Sequence, residues 1–292
     1  MLIAQIDFIT CTFMKTEIIQ PHHPELKNIV QYFILFKSEK DEKVEYSTFP
    51  NTNLCLAIYK QNKIILEQNK TSKHLFTLKG YATYKSYLSG FHESNLNVSI
   101  DATLDEICII FHPAALRLFT NISYDELIKS DEVFEMIFPK SATDFTEQLF
   151  EEKNSLKRIS MLENILLKNL NQDYLNTKTK EILYLIQQTD ELKVSPLAKQ
   201  LSINESTLYR LFMNQIGQSP KSFLKTVRFR KALDSILHFE KEKLTHITYQ
   251  NNYTDQSHFI RDFKEITGQS PNQLRNKTSI QQEQLAWIYA QH

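Results

Sequence analysis

The chain has 292 residues, 41% hydrophobic and 23% charged, so it can bury a core and its composition excludes a disordered protein. Its length predicts about two domains. The net charge of zero hides a split, since residues 1–177 carry 18 Lys and Arg against 23 Asp and Glu, whereas residues 178–278 carry 16 against 10. A basic module joined to an acidic one is typical of a nucleic-acid binder with a separate sensor domain, although chance asymmetry gives the same numbers.

Residues 1–13 lack the sequence pattern of an export signal. Residues 1–13 have no basic start and no small-residue cleavage site, so we expect no secretory signal there. Two interpretations stay open: translation begins at Met1, or this stretch is a misassigned start or a disordered extension before Met14. Apolar runs such as Leu54–Tyr59 are far shorter than the roughly 20 residues that cross a bilayer, so no membrane association is expected.

The next region has the pattern of short strands. Six runs rich in Ile, Phe, Leu and Tyr are separated by polar turns. They are Val30–Lys37, Asn53–Lys60, Lys63–Leu66, Leu75–Leu78, Asn97–Ile100 and Glu106–Phe111. These runs predict an antiparallel sandwich or barrel.

A helical region follows the strands. From Asp144 to Leu170, apolar residues recur at helical spacing. Such a stripe packs either on its own domain or on a second copy of the chain, and its periodicity does not distinguish the two. The polar segment Asn171–Lys178 is expected to be a linker.

An internal repeat occupies the C-terminal third. Leu208–Phe212 followed by Gly217–Pro220 recurs 51 residues later as Phe259–Phe263 followed by Gly268–Pro271, and the last four residues are identical. Two of the chain's four glycines hold this repeated place. Chance is a poor explanation for this match.

Each copy of the repeat predicts a helix-turn-helix unit. A polar start supplies N-cap oxygens, and the apolar residues then recur at helical spacing. Glycine takes the left-handed conformation that ends the helix, and Ser-Pro opens the next one. A short helix precedes each copy, which completes the short helix, tight turn and longer helix of the motif.

A charged helix is predicted between the two copies. Lys221–His238 has one apolar side and spans about 27 Å at 1.5 Å per residue. It can therefore hold two recognition helices roughly one DNA turn apart, about 34 Å, on one face of a duplex. Residues 279–292 contain Trp287 and are expected to form a short helix that packs back on the protein.

Residues 179–278 resemble the AraC/XylS family of transcription regulators. The first half matches the family at Leu197, Ala198, Leu201, Leu208, Arg210, Leu211, Phe212, Gly217, Ser219, Pro220, Arg228 and Ala232. The second half matches it at Ile247, Tyr253, Asp255, Ser257, Phe259, Arg261, Phe263, Lys264, Gly268, Ser270, Pro271 and Arg275. The chain departs from the pattern at Asn252, Leu274 and Thr248, and none of these changes threatens the fold.

The N-terminal part is similar, more loosely, to the cupin-like sensor domains of one uncharacterised subgroup of that family. The matching segments are Gln20-Pro21, Tyr32-Phe33, Phe49-Pro50-Asn51 and Phe111–Leu116 with Phe119. The resemblance implies an α+β chain: a cupin-like β barrel or sandwich with helices at 14–170, a linker at 171–178, an all-α double helix-turn-helix domain at 179–278 and a tail at 279–292. It implies a small-molecule or protein effector, but not which one.

The resemblance also implies which residues contact DNA. In the family, bases are read from positions around the first apolar residue of the second helix of each unit. Those positions are Ser206, Thr207, Tyr209, Arg210, Gln256, Ser257, His258 and Arg261. Phosphate contacts are expected from Lys221, Lys225, Arg228 and Lys264. Other roles stay open: Ser206 and Ser257 are equally good helix caps, Tyr209 can be partly packed, and the arginines can form internal salt bridges.

Enzyme chemistry finds no support in the sequence. The histidines lack metal-ligand spacing, and no nucleophile elbow or phosphate-binding loop is present. The three cysteines, Cys11, Cys55 and Cys108, predict neither a disulfide framework nor a zinc site and favour a reducing cytoplasm. No catalytic residue, metal or cofactor is therefore expected.

The expected partner is double-stranded promoter DNA. RNA polymerase, an effector and a second copy of the chain are further candidates. Two alternatives remain open: a protein-binding adaptor with weak DNA contact, and a cupin-type enzyme.

Overall fold

The structure is a computed structural model that describes residues 7–11, 14–39, 43–67, 75–139, 142–189, 192–238, 243–251, 253–275, 279–280 and 286–289. These residues form a sheet-rich N-terminal part and a helical C-terminal part. The predicted α+β class, with an all-α C-terminal domain, is confirmed. Within the described ranges, no helix combines the length and apolar character needed to span a membrane.

Among the described residues, the strands of the N-terminal part and two short strands of the C-terminal tail form two six-stranded sheets. The first has the order β1 (Asp7–Cys11), β2 (Met14–Ile19), β3 (Val30–Ser38), β10 (Leu104–Phe111), β5 (Leu54–Tyr59) and β8 (Lys85–Ser89). The second has the order β11 (Ser279–Ile280), β12 (Ala286–Tyr289), β4 (Val44–Thr48), β9 (Leu96–Ile100), β7 (Leu75–Gly80) and β6 (Asn62–Glu67). All six predicted strands are present. The antiparallel prediction is wrong at one pair, since β7 and β9 run parallel.

The first sheet is buried on both faces. In β3, Phe33 and Leu35 pack with helices, whereas Tyr32 and Ile34 pack with residues of the second sheet. Successive side chains of a strand point to opposite faces, so a strand covered on both sides needs an almost continuous apolar run. This explains why β3 and β10 were recognisable from composition.

Four helices cover the outer face of the first sheet. They are α1 (Tyr124–Ile128), α2 (Val133–Ile137), α3 (Ala142–Glu151) and α4 (Ser155–Asn169). The helical region predicted from Asp144 to Leu170 is present as two helices, because the chain breaks between α3 and α4. Arg158 explains the break: it donates to the carbonyls of Phe150 and Glu152 at the end of α3 and forms a paired ion bridge with Asp105 on β10. Asn154 then caps α4 by accepting from the Lys157 N–H.

Seven helices are present among the described residues of the C-terminal part. They are α5 (Thr177–Gln188), α6 (Val194–Gln200), α7 (Glu205–Gln215), α8 (Pro220–His238), α9 (Leu244–Gln250), α10 (Gln256–Thr267) and α11 (Pro271–Arg275). Helices α6 and α7 make the first helix-turn-helix unit, and α9 and α10 make the second. Both were predicted from the repeat.

Helix α8 completes the cores of both units. Phe223 and Leu224, near its start, are buried with α6 and α7. Phe229 and Leu233, further along, are buried with α9 and α10. One continuous helix therefore supplies apolar side chains to two separate cores.

The structure departs from three further expectations, for the N-terminal stretch, the linker and the C-terminal tail. Asp7–Cys11 pair with β2, so these residues are not a disordered extension. The expected linker contains a short 3-10 helix, Gln172–Tyr174, and α5 already begins at Thr177. The tail prediction is wrong in type, because Ala286–Tyr289 form a strand that pairs with β4 rather than a helix. Side chains of a strand alternate between its two faces, so a segment that pairs with a distant strand shows no helical periodicity.

Candidate nucleic-acid interface

The second helices of the two units, α7 and α10, are named here the reading helices, and they begin in the same way. Asn204 accepts a hydrogen bond from the Thr207 N–H at 2.7 Å, and Asp255, 51 residues later, accepts one from the His258 N–H at 2.8 Å. Each bond satisfies an N–H that has no partner inside its helix. The helix caps are therefore Asn204 and Asp255. Ser206 and Ser257, for which the sequence leaves a capping role open, do not cap these helices.

The apolar stripe of each reading helix is fully buried. Leu208 and Phe212 in α7, and Phe259 and Phe263 in α10, are all 0% exposed. Because these positions are four residues apart, they fix which side of each helix faces inward. The opposite side is left at the surface.

The exposed side of α7 carries four of the predicted base-contact residues. Ser206 and Arg210 are exposed, Thr207 is half-buried, and Tyr209 is 50% exposed and therefore not packed away. The Arg210 guanidinium lies 3.4 Å from the Thr207 hydroxyl. Among the described residues Arg210 takes part in no ion pair, so its planar group is available to an external partner.

The exposed side of α10 carries the other four, with two of them already engaged. Ser257 and Arg261 are exposed, and Arg261 forms no ion pair with any described residue. The side-chain carbonyl of Gln256 accepts from the Thr245 hydroxyl at 2.9 Å. His258 lies 3.6 Å from Asp262 and packs edge-on against the ring of Tyr253. Ser257 and Arg261 are thus the freer members of this group.

The predicted phosphate contacts fall into two classes. Lys221 and Lys264 are exposed at the surface. Lys225 on α8 lies 3.5 Å from Glu265 on α10, and this ion pair joins the two helices. Arg228 donates to the carbonyl of Leu192 at 3.1 Å, and its guanidinium stands 5.6 Å from the Tyr253 ring centre. Its contacts therefore connect the two units, and its role at phosphate stays a prediction without geometric support.

Sequence reasoning missed the residues at the other end of each reading helix. The C-terminal ends of α7 and α10 lie against the N-terminal part, at Phe91, Asn95 and Tyr124. No periodic signal marks such contacts. Within the described ranges, no three His, Cys, Asp or Glu side chains come close enough to hold a metal ion.

Comparison with known proteins gives two family matches. Residues 197–277 match a helix-turn-helix domain, and residues 17–132 match a domain of unknown function, DUF6597. The first match spans both helix-turn-helix units, and the second lies within the sheet-rich part.

Among similar proteins is an uncharacterised HTH-type transcriptional regulator from Staphylococcus aureus, 36% identical over 87 residues, covering 30% of this chain and 11% of the relative. Another, from Haemophilus influenzae, is 28% identical over 121 residues, covering 41% of this chain and 40% of the relative. The chain thus spans only a minor part of either protein. Among solved structures, ToxT from Vibrio cholerae is similar over 84% of this chain and 97% of its own, with 10% identity and a TM-score of 0.39.

Proposed function

We propose that the protein is a sequence-specific DNA-binding transcription regulator of the AraC/XylS type, since residues 197–277 match a helix-turn-helix domain. One observation carries the proposal furthest. Two units of the same construction each present an exposed arginine, Arg210 and Arg261, on the side opposite the buried stripe, and neither arginine forms an ion pair with a described residue. Arginine is the side chain that bridges O6 and N7 of guanine in the major groove.

In this proposal the reading helices enter two successive major grooves on one face of the duplex. Helix α8 has 19 residues and is about 28 Å long, close to the roughly 34 Å of one DNA turn. Base readout belongs to Ser206, Thr207, Tyr209, Arg210, Gln256, Ser257, His258 and Arg261. Phosphate contact belongs first to Lys221 and Lys264, because these two lysines are exposed.

The N-terminal domain, residues 14–170, is proposed to control this DNA binding. A small-molecule or protein effector, or a second copy of the chain, acts through it by binding one conformational state better than the other. The bound regulator then contacts RNA polymerase at the promoter, in the cytoplasm, and carries out no reaction of its own.

Selection of duplexes from a random pool tests the proposal. The purified full chain should enrich a defined sequence and keep roughly nanomolar affinity for it in the presence of excess random DNA. Affinity should fall steeply as salt is raised, since phosphate contacts release bound counterions. Equal affinity for random and enriched duplexes would refute the proposal and favour a protein-binding adaptor.

A further inference from the structure

The N-terminal domain contacts the two units at equivalent points. The carbonyl oxygens of Gln215 and Ile266, 51 residues apart, hold the same place in the repeat. The first accepts from the Tyr124 hydroxyl at 3.0 Å, and the second accepts from the Asn95 N–H at 2.6 Å. Carbonyls in the last turn of a helix have no donor within the helix. Here the N-terminal domain supplies the donor to both reading helices.

The glycines of the repeat adjoin the same segment. Gly217 has φ +88°, and a Cβ built on it would lie 2.5 Å from the ring of Phe91 and 2.9 Å from Tyr124. Gly268 has φ +73°, and its nearest outside neighbour is the side chain of Asn95, 3.9 Å away. The connection between β8 and β9, residues 90–95, therefore touches the turn after each reading helix. Its Glu93 also accepts from the Ser222 hydroxyl on α8 at 2.8 Å.

Each unit also takes one N-terminal residue into its core. Ala114 is 0% exposed and packs in the core of the first unit. Phe49 is 1% exposed and packs in the core of the second, with its ring 6.4 Å from that of Phe229. Both belong to segments that resemble the sensor domains of one subgroup of the AraC/XylS family. Neither segment takes part in the proposed DNA contacts.

Two of the contacting residues have strained backbones. Phe91 has φ +62° and Ala114 has φ +64°, a region that side-chain-bearing residues seldom occupy. Such conformations persist only where the surroundings hold them, and they concentrate at functional contacts. The strain therefore lies at the contacts with the first unit.

From these contacts we infer that the N-terminal domain holds the two helix-turn-helix units at a fixed separation and rotation, and so selects the spacing of the two DNA half-sites. Helix α8 and its Arg228 join the units along a single helix. Any bend in that helix would change the separation and rotation of the units. One rigid body that contacts equivalent points on both units removes that freedom. The inference rests on the proposed function, since half-sites matter only to a DNA reader.

The test compares spacing tolerance in full-length variants. The probe is the duplex enriched by the wild-type chain, with one base pair inserted or deleted between its half-sites, which shifts them by about 3.4 Å and about 35°. Wild type should bind the altered duplexes at least about tenfold more weakly, the equivalent of one good base contact. Tyr124→Phe removes only the hydroxyl donor, and Phe49→Leu reduces the side chain inserted in the second core. Both variants should show a much smaller spacing penalty.

Matched variants separate this effect from general destabilisation. Tyr81→Phe removes the hydroxyl of a partly exposed tyrosine, and Phe150→Leu alters a fully buried ring of the N-terminal core. Both variants should keep the wild-type penalty. If Tyr124→Phe and Phe49→Leu remain folded and also keep the wild-type spacing penalty, the inference is overturned, although the proposed function stands.

Hydrogen exchange provides a readout that needs no DNA. In Tyr124→Phe, the amides of Gly217 and Gly268 should both exchange faster than in wild type, because Tyr124 packs on Phe91, with ring centroids 5.2 Å apart, in the segment that touches both turns. Faster exchange confined to Gly217 would contradict a shared hold. Should the wild type enrich no duplex at all, the proposed function fails, and this measurement still decides whether the two units are held together.

Discussion

Arg261 stands on α10 where Arg210 stands on α7, at the same position of the repeat and on the face opposite the buried phenylalanines. Neither guanidinium is paired with a described carboxylate. Replacing either arginine with alanine should weaken binding to the enriched duplex by about 1–3 kcal/mol, or roughly 5- to 150-fold, because a bidentate base contact is lost. Fluorescence anisotropy titration measures this loss. Lys168→Ala, which removes an exposed positive charge from α4, is the control and should change affinity little. An unchanged affinity in both arginine variants would exclude these side chains from readout.

Lys264 and Arg228 should respond differently to the same truncation. Lys264→Ala should reduce the slope of log affinity against log salt by about one, with little change in stability, because an exposed phosphate contact disappears. Arg228→Ala should instead lower the free energy of unfolding by about 1.5–3 kcal/mol, since the hydrogen bond to Leu192 and the contact with Tyr253 are lost. Salt-dependent titrations and urea unfolding give the two quantities. If Arg228→Ala instead shows a reduced salt slope and wild-type stability, Arg228 contacts a DNA phosphate after all.

The helix caps make a prediction about stability. Asn204→Ala and Asp255→Ala should each lower the free energy of unfolding by about 1 kcal/mol, because each leaves an N–H of a reading helix without its acceptor. Asn204→Asp should retain the cap. The neighbouring Ser206→Ala should change stability by less than about 0.5 kcal/mol. A larger loss in Ser206→Ala than in Asn204→Ala would mean that the cap has been assigned to the wrong residue.

The two repeated glycines should tolerate alanine unequally. Both have positive φ, so alanine is strained at either site by about 1 kcal/mol. At Gly217 the new methyl group would also collide with the rings of Phe91 and Tyr124, whereas at Gly268 it would meet only ordinary contact. Thermal unfolding should therefore show a greater loss for Gly217→Ala than for Gly268→Ala. Equal losses would argue that Phe91 does not lie against the first turn.

Glu106 makes stability depend on pH. Burial raises the pKa of this carboxyl to about 7 from its ordinary value of 4.5. The folded state therefore binds its proton more tightly than the unfolded state does. Its contribution is complete below about pH 4.5 and is lost as pH rises through about 7, a change on the order of 3 kcal/mol.

Urea unfolding of the wild type and of Glu106→Gln, at about pH 5 and about pH 8, isolates this contribution. The variant should lose less stability between the two values than the wild type, because its amide does not titrate. Glu126→Gln, on the surface of α1, serves as the control and should follow the wild type. A parallel fall in Glu106→Gln would place the pH dependence elsewhere.

The sequence predicts much of this architecture because several signals are local. The repeat identifies two units, their glycines and the buried stripes of α7 and α10, and all of these follow from spacing of a few residues. Strands such as β3 and β10 are recognisable because both of their faces are buried. The candidate base contacts follow from which side of each helix carries the stripe.

What the sequence does not predict depends on contacts between distant residues. The break between α3 and α4 is hidden because apolar residues keep a helical period across it. Arg158, which binds the carbonyls that end α3, is held there by Asp105 on a distant strand. The sequence predicts a phosphate contact for Arg228, yet its guanidinium lies over the Tyr253 ring between the two units. The bond from Asn95 uses its backbone N–H, which every residue except proline carries, so no residue type announces it.

The shared use of α8 has a consequence for how the DNA-binding domain melts. Because Phe223 and Leu233 serve different cores on one continuous helix, loss of either core removes the support for the other end of that helix. Heating should therefore give one cooperative transition across residues 192–275 rather than two. A chain cut within α8 would leave two fragments, each lacking part of its interior.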